Sequence, residues 1–370
     1  MYIGIGGAGS KIASLMDASK ATIINVSDSE LNKVEAGYKI LAVAHSVKGQ
    51  FKGAGKKPEV AKTAFTSINE EVYSLIKGNI VFSSTGGGTG NGITSKLIER
   101  IIEQEEIDQI DKTRFAFILP YVNRESSDYV ENTIDFLQGP VSQAIDSGNT
   151  GNIVLFSNKL KFEARLTEGD FNNMIMNSLK SFYEIPDKGD ELELLDGHID
   201  HEDFEVYVNK PYFNHFTQFD YTPEKPFIEL FRENYNSLLL PPEQAIEAMF
   251  LLEVPSKDQT SYLYNLLDFF ADDDVKPYYG VVHNPNLEQP KLTMSVLYSR
   301  KPKELVDDFK HMADAMTRKK LEKSIKQFVQ LEERKVDICN EVRSIENPGE
   351  EQNQENDSVL NVLARLKKLR

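Results

Sequence analysis

The sequence predicts an α/β protein. A mainly parallel sheet with helices on both faces comes first, then a smaller α+β region, then a long C-terminal helix and tail. Three observations predict it. Short β-type runs alternate with helical patterns through the first half of the 370 residues, the signature of a parallel sheet with crossover helices. Glycine-rich turns follow the first and the fourth of those runs, and in such sheets ligands sit at the carboxyl ends of strands. After Pro302 no glycine or proline interrupts the chain to about residue 342, while apolar residues recur at helical spacing.

The elements follow in order. Strand candidates are Tyr2–Ile5, 22–26, 40–44, Ile80–Ser84, 115–120 and 153–156, each an apolar run too short for a helix. Helix candidates are 10–17, 58–76, 91–105, 128–146 and 170–185. Pro58 and Glu59 mark one helix start, since proline is tolerated in a first turn and an acid suits the positive end. From 187 to 242 the chain is acidic, aromatic and proline-punctuated, and reads as short helices and loops. A second block, 248–254, a helix at 259–270, then 275–282 and 291–299, reads as a small α+β domain. Leu305, Phe309, Met312, Met316, Leu321, Ile325, Phe328 and Leu331 form the stripe of the long helix. Residues 347–357 are polar and acidic and predict disorder. The tip, 359–370, reverses the charge with Arg365, Lys367, Lys368 and Arg370 beside an apolar stripe. The expected divisions are therefore 1–169, 170–240, 241–300, 301–344 and 345–370.

Composition narrows the function classes. A formal net charge of -16 argues against a body that coats nucleic acid, because phosphate would be repelled; a local basic segment stays open. No apolar run approaches the roughly 20 residues that span a bilayer, and the start lacks the pattern of a signal peptide. Cys339 is the single cysteine, so no internal disulfide forms, which suits a reducing cytosol. The expectation is a cytoplasmic protein without a membrane partner.

The chemistry is concentrated in glycine. Gly86-Gly-Gly-Thr-Gly-Asn-Gly92 lies between a strand and a helix candidate. That order aims backbone N–H groups and a helix N-terminus at one point, an arrangement suited to a phosphate chain. Gly4-Ile-Gly-Gly-Ala-Gly9 also matches GxGxxG, with Asp28 available as the acid of a dinucleotide site. Alone that motif is weak. A single dinucleotide unit has no use for the 86–92 loop, nor for a third loop, Gly53-Ala-Gly-Lys-Lys-Pro-Glu-Val60. None has the spacing of a P-loop.

Together these segments resemble the tubulin and FtsZ superfamily of polymerising GTPases. The 86–92 loop is similar to the family's GGGTG[ST]G signature, with Asn91 in place of Ser or Thr. Residues 4–9 resemble its first glycine loop, Asn25-Val-Ser-Asp-Ser-Glu-Leu31 its second, and 53–60 its GAGxxPEVG loop. The resemblance covers about residues 1–185 and implies GTP or GDP with Mg²⁺. By position, Gly6, Gly7 and Ala8 would hold the α/β-phosphates, with Lys11 in reach of a phosphate. Ala54 and Gly55 would lie near the γ-phosphate. Gly87, Gly88, Thr89, Gly90 and Asn91 would wrap the β/γ end. Asn25 and Glu125 would meet the sugar, although the loop around Glu125 departs from the family pattern and Tyr129 replaces an arginine. Phe171 and Asn172 or Asn173 would meet the guanine; Phe171 reads equally as core, and one asparagine as a helix cap.

In that family the hydrolytic acids come from the next subunit. Its NxDxxD string is absent here, and Gly197-His-Ile-Asp-His-Glu-Asp-Phe204 is the nearest candidate. Asp200 and Asp203, with Glu202 as the competing choice, would position the attacking water; the plain alternative is an acidic helix start. His198 and His201 lack a further ligand cluster and read as surface residues rather than a metal site. The ending, without a DIP peptide, looks more like the plasmid and bacteriophage TubZ and PhuZ branches than like division-ring FtsZ. The resemblance therefore implies head-to-tail self-assembly, positioning of plasmid or phage DNA in a bacterial host, and a DNA-bound adaptor recruited by the tail. An FtsZ-type division protein and a filament protein without efficient hydrolysis are the alternatives.

Overall fold

The computed structural model describes residues 1–47, 49–104, 112–225, 229–230, 245–272 and 275–299, with 311, 314–315, 318 and 321–322 beyond them. The chain divides into two compact units, Met1–Ala313 and Asp314–Arg370. In the second unit the described residues, 314–315, 318 and 321–322, are helical. The rest of the expected long helix, with Cys339, the acidic spacer and the basic tip, lies outside the described residues.

The first unit opens with β1 (Tyr2–Ile5), α1 (Gly6–Asp17), β2 (Ala21–Asn25), α2 (Asp28–Leu31) and β3 (Tyr38–Leu41). A short hairpin, β4 (His45–Ser46) with β5 (Gly49–Gln50), precedes α3 (Pro58–Phe65), α4 (Asn69–Ile76), β6 (Ile80–Ser84) and α5 (Gly88–Ile102). Next come β7 (Thr113–Leu119), α6 (Ser127–Phe136), α7 (Ser142–Ser147), β8 (Thr150–Ser157), α8 (Asn158–Glu163) and α9 (Glu168–Tyr183). Then α10 (Ile185–Glu191), β9 (Glu193–Gly197), α11 (His201–Val208) and β10 (Phe213–Asp220) lead to β11 (Glu247–Val254). A helix at Tyr262–Asp272, β12 (Tyr278–His283) and β13 (Lys291–Tyr298) complete the unit.

One sheet carries eleven of these strands, in the order β3-β2-β1-β6-β7-β8-β10-β13-β11-β12-β9. From β3 to β8 every neighbour is parallel, as the alternating sequence pattern predicts. β8 meets β10 through the single pair Ile153 with Phe213. Beyond it β10–β13, β13–β11 and β12–β9 are antiparallel, and β11–β12 is parallel. The α+β block is thus a continuation of the same sheet.

The segment read as short helices and loops contributes two of these strands, β9 and β10. β10 hides its period because both its faces are covered: Asn214 and His215 are buried along with Phe213 and Phe216. The 58–76 helix is two. Ser67 Oγ donates to the Ala64 carbonyl at 2.7 Å and accepts from Val43 N–H at 3.0 Å, diverting the backbone between α3 and α4. The 128–146 helix is interrupted by a π turn at Leu137–Val141 that absorbs Pro140, which has no N–H to give.

The core under the sheet is tied together by α9. Phe171, Ile175, Leu179 and Phe182 lie at helical spacing and are all buried, each contributing on the order of 1.5–3 kcal/mol. Phe182 stacks on Phe216 of β10 with centroids 4.8 Å apart and meets Phe204 of α11 at 5.0 Å. The β8–β10 joint is polar by contrast. Tyr207 OH bonds Ser295 Oγ at 3.0 Å, Ser295 Oγ donates to Asn214 Oδ1 at 2.6 Å, and Asn214 Nδ2 donates to Asn152 Oδ1 at 2.7 Å. Asn152 Nδ2 donates to the carbonyls of Tyr207 and Lys210. This buried chain of hydrogen bonds fixes α11 to three strands, and burial pushes the Tyr207 phenol well above its ordinary pKa.

Candidate functional site

Three glycine-bearing loops meet at the carboxyl ends of β1, β2 and β6. α1 begins at Gly6 directly after β1. Gly6 has φ +73, and an added Cβ would lie 3.0 Å from Gly90 N, so the first loop rests on the 86–92 loop. A Cβ at Gly88 would lie 2.7 Å from Lys57 N and 2.9 Å from Ala54 Cβ, so that loop rests in turn on the 53–57 loop. Side chains on these glycines would push the touching loops apart.

The three loops border a cavity of about 560 Å³. Of the residues expected from sequence, Gly6, Gly7, Ala8, Asn25, Ala54, Gly55, Gly87, Gly88, Thr89, Gly90, Glu125, Phe171 and Asn172 line it. Thr89 is half-buried and its hydroxyl has no intrachain partner among the described residues. Asn172 is 9% exposed and its amide likewise makes no hydrogen bond among them. Phe171, 3% exposed, belongs to the core and also faces the cavity. Asn25 Nδ2 donates to Glu30 Oε2 at 2.8 Å, and its Oδ1 accepts from Ser27 N–H at 3.1 Å. Glu125 accepts from Tyr121 N–H at 2.5 Å and from Asn158 Nδ2 at 3.1 Å.

Three expected contacts are not among the lining residues. Lys11 forms an ion pair with Glu168 at 2.7 Å, and that hydrogen bond holds the Glu168 carboxyl below its ordinary range. Asn91 turns inward: its Nδ2 donates to the carbonyls of Thr85 at 2.6 Å and Asn132 at 2.9 Å. Asn173 is exposed on α9, whose cap is Thr167, not either asparagine.

Lys52, Lys56, Lys161, Glu30, Glu168 and Asn158, assigned no role from sequence, also line the cavity, as does Tyr129, which stands where the resembled family has an arginine. The lysines offered a signal: Lys52, Lys56 and Lys57 surround a glycine pair in a chain of net charge -16. Lys161, Glu168 and Asn158 come from segments with no motif and meet only through the fold, while Glu30 lies in the 25–31 segment.

Asp200, Glu202 and Asp203 do not line the cavity of their own chain. Asp200 is the N-cap of α11 and accepts from Asp203 N–H at 2.7 Å; Glu202 is exposed and Asp203 half-buried. His198 Nε2 lies 3.3 Å from Asp190, and His201 Nε2 lies 3.4 Å from Asp187.

No family model and no curated protein matches the sequence. Solved structures do match the fold. A protofilament of TubZ from Bacillus thuringiensis serovar israelensis in its GTPγS form superposes with a TM-score of 0.67 at 14% identity, over 86% of this chain and 93% of that one. CetZ from Methanosaeta thermophila gives 0.65 at 16% identity, over 93% and 97%. An FtsZ dimer from M. jannaschii gives 0.57 at 22% identity, over 80% and 86%. The sheet order, the three touching glycine loops and these superpositions lead to one conclusion: the chain has the fold of the tubulin/FtsZ superfamily.

Proposed function

We propose that this protein binds GTP in the three-loop cavity, assembles head-to-tail into filaments and hydrolyses GTP at the contacts between subunits. The observation that carries the reading is the cradle itself. Gly6, Gly88 and Gly90 bring three backbone segments to van der Waals distance around one space, and N–H groups and helix starts at that space suit phosphate oxygens. The unpartnered, nearly buried amide of Asn172 is a donor and acceptor for the edge of a base, and an unpaired buried amide selects against a base that leaves it unsatisfied. The superposed TubZ and FtsZ structures are a protofilament and a dimer, which supports self-assembly as the mode of action.

Among the described residues no cluster of three His, Cys, Asp or Glu is arranged to hold a metal unaided. Mg²⁺ would take its ligands from phosphate oxygens and water, with the Thr89 hydroxyl as this chain's oxygen, and would offset phosphate charge. The acids at the start of α11 do not line their own cavity. In the proposed filament they would reach the cavity of the next subunit and position water there. The engagement of Asp200 as a helix cap favours a second reading for that residue, assembly with little hydrolysis. Positioning of plasmid or phage DNA through a tail-bound adaptor extends the proposal to the C-terminal tip.

Sedimentation with GTP, ATP and no nucleotide tests the reading. Pelleting only with GTP is expected; no assembly under any nucleotide contradicts it. Phosphate release that rises cooperatively with protein concentration separates the enzyme from the non-hydrolysing filament. If Asp200→Ala, Glu202→Ala and Asp203→Ala all leave turnover in preformed filaments unchanged, the acid lies elsewhere.

A further inference from the structure

We infer that Arg114 is a positioning residue for the acids of α11: it sets the rotation of that helix and thereby where Glu202 and Asp203 stand. The inference rests on the hydrolysis reading above, in which those acids serve the next subunit, and adds the group that aims them.

Arg114 stands at a junction. It lies near the start of β7, four residues before Ile118, which lines the cavity, so it is about 13 Å from that end of the strand. The second element to end here is α9. Its Phe171 and Asn172 line the cavity, and Tyr183 closes the helix, roughly 16 Å further on. The Arg114 guanidinium carbon is 5.6 Å from the centroid of the Tyr183 ring. Nη2 donates to the Gly78 carbonyl, in the turn before β6, at 2.8 Å. Nη1 reaches both carboxylate oxygens of Glu205 on α11, at 3.4 and 3.5 Å. β8 makes room for this: a Cβ at Gly151 would lie 2.8 Å from Arg114 Cγ and 3.0 Å from the Val208 carbonyl oxygen at the end of α11.

The contact contributes direction more than stability. The Arg114 side chain is 12% exposed and that of Glu205 47%. The attraction in a long ion pair only offsets the cost of taking a guanidinium out of water, so an apolar side chain of the same volume would serve stability as well. An apolar side chain does not choose a rotation for α11. The ion pair does. Tyr207 OH anchors the inner face of the helix to Ser295, and Glu205 lies about 160° round the helix from Tyr207. Anchors on opposite sides leave one rotation, which sets Glu202 about 60° and Asp203 about 160° from Glu205. Among the described residues Glu205 is the α11 acid paired with an arginine or lysine, and Glu202 and Asp203 pair with none. One acid anchors the helix and two stay available to a neighbour.

The test measures phosphate release from preformed filaments of the full chain, with GTPγS affinity and pelleting as references. Arg114→Met and Glu205→Gln are each expected to slow release per polymerised subunit by roughly tenfold or more, the scale on which a displaced catalytic group slows a reaction. GTPγS affinity stays within about twofold, because the cavity lies about 13 Å off along β7. Arg114→Lys recovers part of the rate through its charge. The double variant is no slower than Arg114→Met, since both changes cut the same contact. Glu205→Gln keeps its volume and can still accept from Asn209 Nδ2, so it carries the test should Arg114→Met fail to fold. Unchanged release in the single variants, or losses that multiply in the double variant, overturns the inference with the GTPase reading intact. Release that falls only in proportion to pelleting shows that Arg114 merely supports the fold, and overturns it too. If unaltered filaments release no phosphate, the hydrolysis reading falls and this inference with it.

Discussion

Asn91 offers the sharpest test of how the 86–92 loop keeps its shape. Its side chain is 4% exposed, and its amide donates to the carbonyls of Thr85 and Asn132 while Ser95 Oγ bonds it at 3.4 Å. It thereby ties the loop's start to α6, and Asn132 ties α6 back to Gly86 and Lys56. Asn91→Ala deletes both donors and leaves two carbonyls facing a small void. A net hydrogen bond contributes about 1 kcal/mol, and an orphaned buried acceptor costs about 1–3 kcal/mol. Two such losses, eased by local relaxation, amount to about 2–4 kcal/mol. Asn91→Asp should cost at least as much, because it sets carboxylate oxygens against carbonyl oxygens. Urea denaturation gives the stability change, and GTPγS titration of the folded variant gives the loss of loop geometry. A destabilisation under about 0.5 kcal/mol with unchanged binding, well below the range that a lost buried hydrogen bond produces, would refute the reasoning.

Three further outcomes are expected. Glu253 has a 2% exposed side chain and accepts from Lys188 Nζ at 2.6 Å and Asn284 Nδ2 at 2.8 Å. Lys188→Met strands this carboxylate and should cost about 3–5 kcal/mol in urea melts, and Glu253→Gln in the same background should restore part of it; an additive double variant would contradict the pairing. The Lys11 hydrogen bond lowers the Glu168 carboxyl pKa in the folded state. Its stabilisation is therefore complete above the ordinary glutamate range and is lost as pH falls through the lowered folded value. The contribution is small because both side chains are about half exposed; an NMR titration of Glu168 that does not move upward in Lys11→Ala would dismiss the pair. Asp200→Ala should cost about 1 kcal/mol through loss of the α11 cap, and no loss would remove the capping account.

The N-terminal, parallel half of the fold was legible because its elements repeat local signals. β1, β2, β6, β7 and β8 are apolar runs flanked by turns, and the glycine loops declare themselves through residues that other backbones avoid. What stayed hidden depended on contacts distant in sequence. β10 carries Asn214 and His215 inward because the sheet continues past β8, so no period-2 pattern marks it. The break after α3 needs the Val43–Ser67 contact. The same limit applies at the site. Gly6, Thr89 and Asn172, expected from motif position, line the cavity, while Lys11, Asn91 and Asn173, expected on the same ground, are not among its lining residues. Lys11 faces Glu168, a partner 157 residues away, and Asn91 faces Asn132 across the loop.

The central claim is that the three loops form one nucleotide pocket. A structure of the protein with GTPγS tests it most directly. The phosphates should lie within hydrogen-bonding distance of the backbone N–H groups of Gly6, Gly7 and Ala8 and of the 86–92 loop, with the base against Asn172. GTPγS bound elsewhere, or a cavity that stays empty at saturating GTPγS, would contradict it.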